Sequence, residues 1–180
     1  MTQTPPKLLD HIRIVLSRTS HPGNIGAAAR AMKTMGLSQL YLVNPAVFPN
    51  SQAEAMASGA SDVLANAVVC ETLTQALTST VLALGVSARQ RDITSEVLMP
   101  NEAAARLLVE AQVAPVALVF GNETSGLSNE ELGLCQGLVS IPANPDYSSL
   151  NLAAAVQVLS YEVRQSWLNQ IGRASCRERV

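Results

Sequence analysis

The sequence predicts an α/β fold: a mostly parallel sheet with helices on both faces. Two observations predict it. Short apolar runs such as 81–86 and 115–120 alternate along the 180 residues with segments of helical periodicity, an alternation typical of α/β domains. The runs are also nearly continuous in apolar character, as expected for strands covered on both faces. A chain of this length forms one domain around a single substantial core.

The predicted elements follow in chain order. The predicted strands cover residues 12–16, 39–43, 68–70, 81–86, 115–120 and 138–141. The predicted helices cover residues 24–35, 51–60, 73–77 and 101–112, with a short one carrying Glu130 and Glu131. Asn24 and Asn101 are expected to cap their helices, and Gly36 to stop the first one. The opening strand, helix and strand form a crossover unit, which implies parallel pairing.

The last helix follows an irregular loop that begins at Pro142. Ser148 and Ser149 offer hydroxyl caps, and a buried stripe is expected at Leu152, Val156, Leu159, Val163 and Trp167. Ser148, Ser149 and Asn151 therefore gather at a helix start, where unpaired backbone N–H groups can face a ligand. A well-capped surface helix explains these residues equally well.

The composition excludes several classes of protein. Apolar residues make up 48% of the chain, but no run approaches the ~20 residues of a membrane span, and the N-terminus has no secretory signal. Three separated cysteines and two histidines suggest neither a metal site nor a disulfide framework. The net charge of −2 argues against a protein that coats nucleic acid through an overall positive charge. A cytoplasmic protein is expected.

Four polar loops follow predicted strands: 17–24, 87–92, 121–127 and 142–151. In open α/β sheets, ligands bind beyond the carboxyl ends of the strands. The loops contain neither a dinucleotide-binding glycine fingerprint nor a phosphate-binding P-loop. No recognisable nucleophile with its base is present either.

Three of these loops carry motifs that resemble a known family. The segments are HPGNIGAAAR at 21–30, VFGNETSGL at 119–127 and IPANPDYSSLNLA at 141–153. In this order they resemble the motifs of SPOUT-class RNA ribose 2′-O-methyltransferases, and the resemblance runs from about residue 12 to residue 167. The version with YSSLN and AVQV is most similar to bacterial tRNA methyltransferases of the anticodon loop.

The resemblance implies a fold, a reaction and partners. It implies a C-terminal deep trefoil knot and S-adenosylmethionine (SAM) as the cofactor, with S-adenosylhomocysteine as product and no metal. It also implies a homodimer in which the partner chain completes each active site. The implied substrate is the ribose of a tRNA cytidine or uridine, at nucleotide 32. Alternatives are a sister enzyme acting on ribosomal RNA or another tRNA site, and a noncatalytic RNA-binding domain.

Site residues follow from the same resemblance. The implied cofactor contacts are Val86, Ser87, Ala88, Gly121, Ile141, Ser148, Ser149 and Leu150. The implied catalytic group is Arg30, Asn24, Glu123, Ser149 and Asn151, and the implied RNA contacts are Arg30, Arg89 and Arg91. An arginine side chain stays protonated in proteins, so Arg30 suits phosphate orientation and alkoxide stabilisation better than simple base catalysis.

Several of these residues have structural alternatives. Asn24 can serve only as a cap, Glu123 can be a surface carboxylate, and Arg89 and Arg91 can be ordinary exposed loop arginines.

The domain is expected to span residues 1–170. Residues 171–180 hold three arginines and no apolar stripe, which is typical of a disordered or appended end, with an RNA-binding tail as the alternative. They do not match the C-terminal helical extension that the family uses for tRNA binding. The expectation is therefore a chain that binds cofactor and dimerises but holds tRNA weakly.

Overall fold

A computed structural model describes residues 7–89 and 96–177, with side chains of the last helix described as far as Arg173. Its described strands form one seven-stranded sheet in the order β3-β2-β1-β6-β4-β7-β5. All pairings between them are parallel, which confirms the predicted mostly parallel sheet. The strands are β1 Ile12–Ser17, β2 Gln39–Val43, β3 Val68–Cys70, β4 Leu82–Val86, β5 Val97–Leu98, β6 Val116–Phe120 and β7 Gly137–Val139.

The register of the central strands aligns their carboxyl ends. Leu16 of β1 and Val86 of β4 both pair with Phe120, the last residue of β6. Because the three strands are parallel and end at the same level, the loops that leave them begin side by side at one edge of the sheet. This alignment places three of the four predicted ligand loops together.

The helices agree with the predicted order, with differences at their starts. They are α1 Pro22–Thr34, α2 Ser51–Ala57, α3 Ser61–Ala65, α4 Leu73–Ala76, α5 Pro100–Glu110, α6 Asn129–Gly133 and α7 Leu152–Arg177, with 3-10 turns at Leu8–His11 and Ser58–Ala60. Helix α3 and strand β5 were not predicted. Gly36, with φ 82°, follows the first helix as expected.

The predicted caps Asn24, Asn101, Ser148 and Ser149 are wrong. Helices α1 and α5 begin with Pro22 and Pro100, whose fixed φ suits the first helical position, so Asn24 and Asn101 lie inside the helices. At α7, the Oδ1 of Asn151 accepts from the Ala153 amide at 2.9 Å. Asn151 therefore caps this helix, a role that its position at the helix start also allowed, whereas Ser148 and Ser149 precede the cap.

The core has two layers, one on each face of the sheet. Ile14 and Leu118 pack with buried residues of α1, α2, α3, α5 and α7, whereas Val15 and Val119 pack with those of α4 and α6. Helices therefore cover both faces, as predicted. The stripe of α7 is buried at its four aliphatic positions and half-buried at Trp167. Each buried aliphatic side chain contributes roughly 1.5–3 kcal/mol.

Helix α1 packs tightly against α2 at Gly26. A Cβ on Gly26 would lie 2.0 Å from the carbonyl oxygen of Ala53, so a larger residue would separate the two helices. The glycine fixes α1 at the edge of the site.

Helix α7 continues to Arg177. Residues 171–177 of the predicted basic tail are therefore helical, and 178–180 lie outside the described residues. In the described part of the chain, no helix combines the length and apolar character needed to cross a membrane.

Candidate active site

A cleft of about 260 Å³ opens beyond the carboxyl ends of β4 and β6. Small-molecule sites in proteins occupy ~300–1,000 Å³, and this cleft is close to the lower end of that range. The eight predicted cofactor residues all line it: Val86, Ser87, Ala88, Gly121, Ile141, Ser148, Ser149 and Leu150. The fold thus brings together residues separated by more than sixty positions in sequence.

The loop 121–127 forms one wall of the cleft by turning back on itself. A Cβ on Gly121 would lie 2.3 Å from backbone atoms of Gly126 and Leu127, so the close approach requires glycine. The Oδ1 of Asn122 accepts from the amides of Thr124 and Ser125, at 2.9 and 3.1 Å. The turn therefore presents backbone groups to the cleft.

Glu123 ties this loop to the start of α1. Its carboxylate accepts hydrogen bonds from the amides of Ser20 and His21 and from the Asn24 side chain, at 2.9–3.1 Å. Burial raises the pKa of Glu123, but the bonds from Ser20, Asn24 and His21 outweigh burial and leave the pKa below its ordinary value. Glu123 is therefore ionised at neutral pH.

Asn24 and Asn151 extend this contact to the third motif. The amide group of Asn24 donates to Glu123 at 3.1 Å, and its Oδ1 accepts from Nδ2 of Asn151 at 3.3 Å. An ionised carboxylate only accepts hydrogen bonds, so Glu123 fixes the orientation of the Asn24 amide and leaves its oxygen for Asn151. One chain of hydrogen bonds joins the three motifs.

The predicted arginines are less closely associated with this centre. Arg30 is exposed on α1, and its guanidinium makes no hydrogen bond or ion pair with the described residues. Arg89 is exposed at the cleft, where its amide donates to Ser87 Oγ at 3.2 Å. Arg91 lies outside the described residues. The structure therefore joins Asn24, Glu123 and Asn151 by hydrogen bonds, and Arg30 makes no hydrogen bond to these three residues.

A second polar cluster lies behind the loop 121–127 and was missed from the sequence. Glu131, only 8% exposed, accepts from the Ser17 hydroxyl, the Ser128 amide and the Arg18 guanidinium. Burial raises the pKa of Glu131, but the bonds from Ser17, Ser128 and Arg18 prevail and lower it. The spacing from Ser128 to Glu131 is that of a capping box. This spacing could have predicted that the Glu131 carboxylate is hydrogen-bonded to the backbone.

No cluster of three or more potential metal ligands occurs among the His, Cys, Asp and Glu residues that the structure describes.

Comparison with known proteins identifies the family. Residues 11–161 match the SpoU rRNA Methylase family. The chain belongs to this family. Two curated relatives are the tRNA (cytidine/uridine-2′-O-)-methyltransferases TrmJ of Pectobacterium atrosepticum and Yersinia enterocolitica, 58% and 57% identical. Each match covers 91% of this chain, and it covers 68% and 63% of the respective relative. The chain thus spans about two thirds of their length.

Solved structures agree with this assignment. A probable methylase family protein from Haemophilus influenzae is 49% identical with a TM-score of 0.86, over 91% of this chain and 69% of that protein. TrmJ from Z. mobilis is 37% identical with a TM-score of 0.80, over 86% and 69%. AviRb from Streptomyces viridochromogenes, solved with AdoMet, shares the fold at 23% identity and a TM-score of 0.69, over 87% and 60%. The predicted resemblance to SPOUT-class methyltransferases is confirmed.

Proposed function

We propose that this chain is a SAM-dependent tRNA ribose 2′-O-methyltransferase that modifies cytidine or uridine at nucleotide 32 of the anticodon loop. The observation that carries the proposal is one cleft lined by all eight expected cofactor residues. The hydrogen-bonded chain from Glu123 through Asn24 to Asn151 adjoins this cleft. Family membership and the two TrmJ relatives supply the reaction class.

The lining of the cleft suits SAM. Backbone groups of the loop 121–127 and the apolar side chains of Val86, Ile141 and Leu150 can hold an adenosine without a charged partner. Glu123 is the carboxylate among the lining residues that the structure describes, and its hydrogen bonds hold it in place beside the cleft. When bound, the sulfonium supplies an activated methyl group, so no metal is required for the transfer.

The chain's own residues orient the ribose. Ser149 is exposed at the cleft and Asn151 is exposed at the start of α7, so both can hydrogen-bond a ribose hydroxyl. Arg30 is free to hold a phosphate and to stabilise negative charge that develops on the attacking oxygen. Arg89 and Arg91 would contact neighbouring phosphates.

A homodimer would complete the site. The Arg30 guanidinium has no partner among the described residues, as expected of a side chain that reaches the cleft of a second copy. An open groove between α1 and α7 is lined by Thr34, Met35, Gln157, Val158 and Tyr161, which offers a self-association surface. Sedimentation equilibrium should give twice the 19.0 kDa chain mass, and a monomer at micromolar concentration would contradict the dimer.

We also propose the finer features of the fold and setting. The catalytic domain spans residues 1–170, acts in the cytoplasm where tRNA is modified, and contains a deep trefoil knot. The positions of β7 between β4 and β5, and of β6 between β1 and β4, are compatible with such threading. Stretching single molecules from their termini tests the knot, because a tightened knot leaves the final contour short of the full chain length.

The test of the activity uses labelled SAM and unmodified tRNA, with ribose methylation mapped by nucleotide. Arg30→Ala should lower transfer at least about 100-fold, the size expected for loss of a transition-state contact, while SAM binding stays unchanged. Lys33→Ala is the matched control, since Lys33 is also exposed on α1 but pairs with Asp62.

Each outcome of this assay is decisive. A ribose methyl group at nucleotide 32 that is lost in Arg30→Ala supports the proposal. Methylation of another tRNA position or of ribosomal RNA would contradict the substrate, and failure to bind SAM would contradict the function.

A further inference from the structure

We propose that Arg18 and Glu131 are positioning residues that hold the loop 121–127 in the shape that SAM binding requires. The proposal rests on the proposed function, because it takes the cleft to be the SAM site. Neither residue lines the cleft, so both would act through the loop. We call this pair the rear clamp.

The rear clamp begins at Glu131. Its Oε1 accepts from Ser17 Oγ and from Nε of Arg18 at 3.2 Å, and its Oε2 accepts from Arg18 at 3.1 Å and from the Ser128 amide at 2.7 Å. A carboxylate that is 8% exposed needs this many donors to remain charged. Glu131 is therefore a fixed anchor at the end of β1 and the start of α6.

Arg18 connects Glu131 to the loop 121–127. The guanidinium that bonds Glu131 also donates to the Gly126 carbonyl at 3.3 Å. The backbone of Arg18 is held as well, since its amide donates to Val43 at 2.8 Å and its carbonyl accepts from the Asn122 side chain at 2.8 Å. Arg18 thus contacts both ends of the turn from Asn122 to Gly126.

The two sides of the loop have separate supports. On the cleft side, Glu123 is fixed to Ser20, His21 and Asn24. On the far side, the Arg18 guanidinium of the rear clamp donates to the carbonyl of Gly126. Losing it would remove the side-chain support at Gly126 and leave that end of the turn held by the bond from the Gly126 amide to the Asn122 carbonyl, at 2.9 Å. Misplacing a positioned group by about 1 Å can cost ~100-fold in reaction rate, and the loss of SAM affinity is expected to be no larger.

The geometry also predicts which substitution is tolerated. The planar fork of arginine presents donors to Glu131 and Gly126 at the same time, whereas a lysine ammonium is a point charge on a flexible stem. Arg18→Lys should keep the ion pair with Glu131 and lose the hold on Gly126. It should therefore bind SAM with an affinity between those of wild type and Arg18→Met.

The experiment measures SAM dissociation constants by calorimetry for wild type, Arg18→Met, Arg18→Lys and Glu131→Gln. Lys33→Met is the control because it breaks an exposed ion pair remote from the cleft. We expect Kd to rise about 10-fold to 100-fold in Arg18→Met and Glu131→Gln, less in Arg18→Lys, and not in the control. Hydrogen exchange at 121–127 should accelerate in the same order.

A merely structural role would lower the melting temperature while leaving Kd and loop exchange unchanged at temperatures where the variant is folded. That result overturns the proposal. If Glu131→Gln does not fold, Arg18→Met decides, since this side chain is 42% exposed. Failure of wild type itself to bind SAM overturns the proposed function together with this inference.

Discussion

Replacing Glu123 with glutamine tests the contact that joins the loop 121–127 to α1. The change keeps the shape of the side chain and removes its charge. The amide oxygen can still accept from the donors on Oε1, but the amide nitrogen then faces the Ser20 N–H that bonds Oε2 at 2.9 Å. Two donors would meet at that position.

The magnitude follows from the hydrogen bonds. Three donor groups bond Glu123: the amides of Ser20 and His21, and the side chain of Asn24. A bond to a charged acceptor is worth about 1 kcal/mol more than a bond to a neutral one. Allowing for solvent screening at a partly exposed site, we expect the free energy of unfolding to fall by about 1–2 kcal/mol at pH 7.

The direction of the pKa shift of Glu123 predicts how the loss of unfolding free energy depends on pH. The folded pKa of Glu123 is lowered, so its contribution is fully present above the unfolded value of about 4.3 and is lost as pH falls through the folded pKa. The difference in unfolding free energy between wild type and Glu123→Gln should therefore be constant from pH 5.5 to 7 and shrink below pH 4.

Urea unfolding followed by circular dichroism at matched protein concentration measures this difference. Glu71→Gln is the control, because Glu71 is exposed and its carboxylate has no hydrogen bond to the described residues. A Glu123→Gln difference of zero at pH 7 refutes the reasoning. An equal difference at pH 7 and pH 3.5 would assign the loss to shape rather than to charge.

Two further predictions concern the loop and its surroundings. Gly121→Ala should weaken SAM binding at least about tenfold in calorimetry, because its Cβ would overlap the backbone of the same turn; Gly133→Ala, with nothing within 4 Å, should bind like wild type. Burial, with a smaller effect from Glu131, raises the pKa of Cys135 to about 11. Iodoacetamide at pH 8 should therefore label Cys135 at least about tenfold more slowly than a free cysteine, as measured by peptide mass spectrometry; labelling at the free rate would contradict the burial.

The sheet was largely predictable because most of its strands are short and nearly continuous in apolar residues. The central strands β4 and β6 are buried on both faces, so a continuous apolar run predicts each of them without an alternating pattern. The strand order was not predicted from residues, since nothing in β6 or β7 specifies that they insert beside β4. Strand β5 was missed because Val97 and Leu98 are too few to show a period.

Helix starts were the weaker part of the prediction. An asparagine before an apolar stripe is an ordinary cap signal, and this rule assigned the cap of α1 to Asn24. Pro22 begins the helix two residues earlier, so the Asn24 side chain is free to bond Glu123 and Asn151. The local rule failed at a position where the side chain makes tertiary hydrogen bonds beside the candidate site.

Glu131 illustrates the opposite case, in which a local rule is correct but incomplete. Ser128 and Glu131 form the capping box that their spacing indicates. That motif occupies the carboxylate with one amide, and Ser17 and Arg18 bond the same carboxylate only because β1 and β6 are neighbours in the sheet. Because of this strand pairing, the capping carboxylate of Glu131 also joins α6 to the end of β1. The residues behind the loop 121–127 can therefore be identified only once the order of the strands is known.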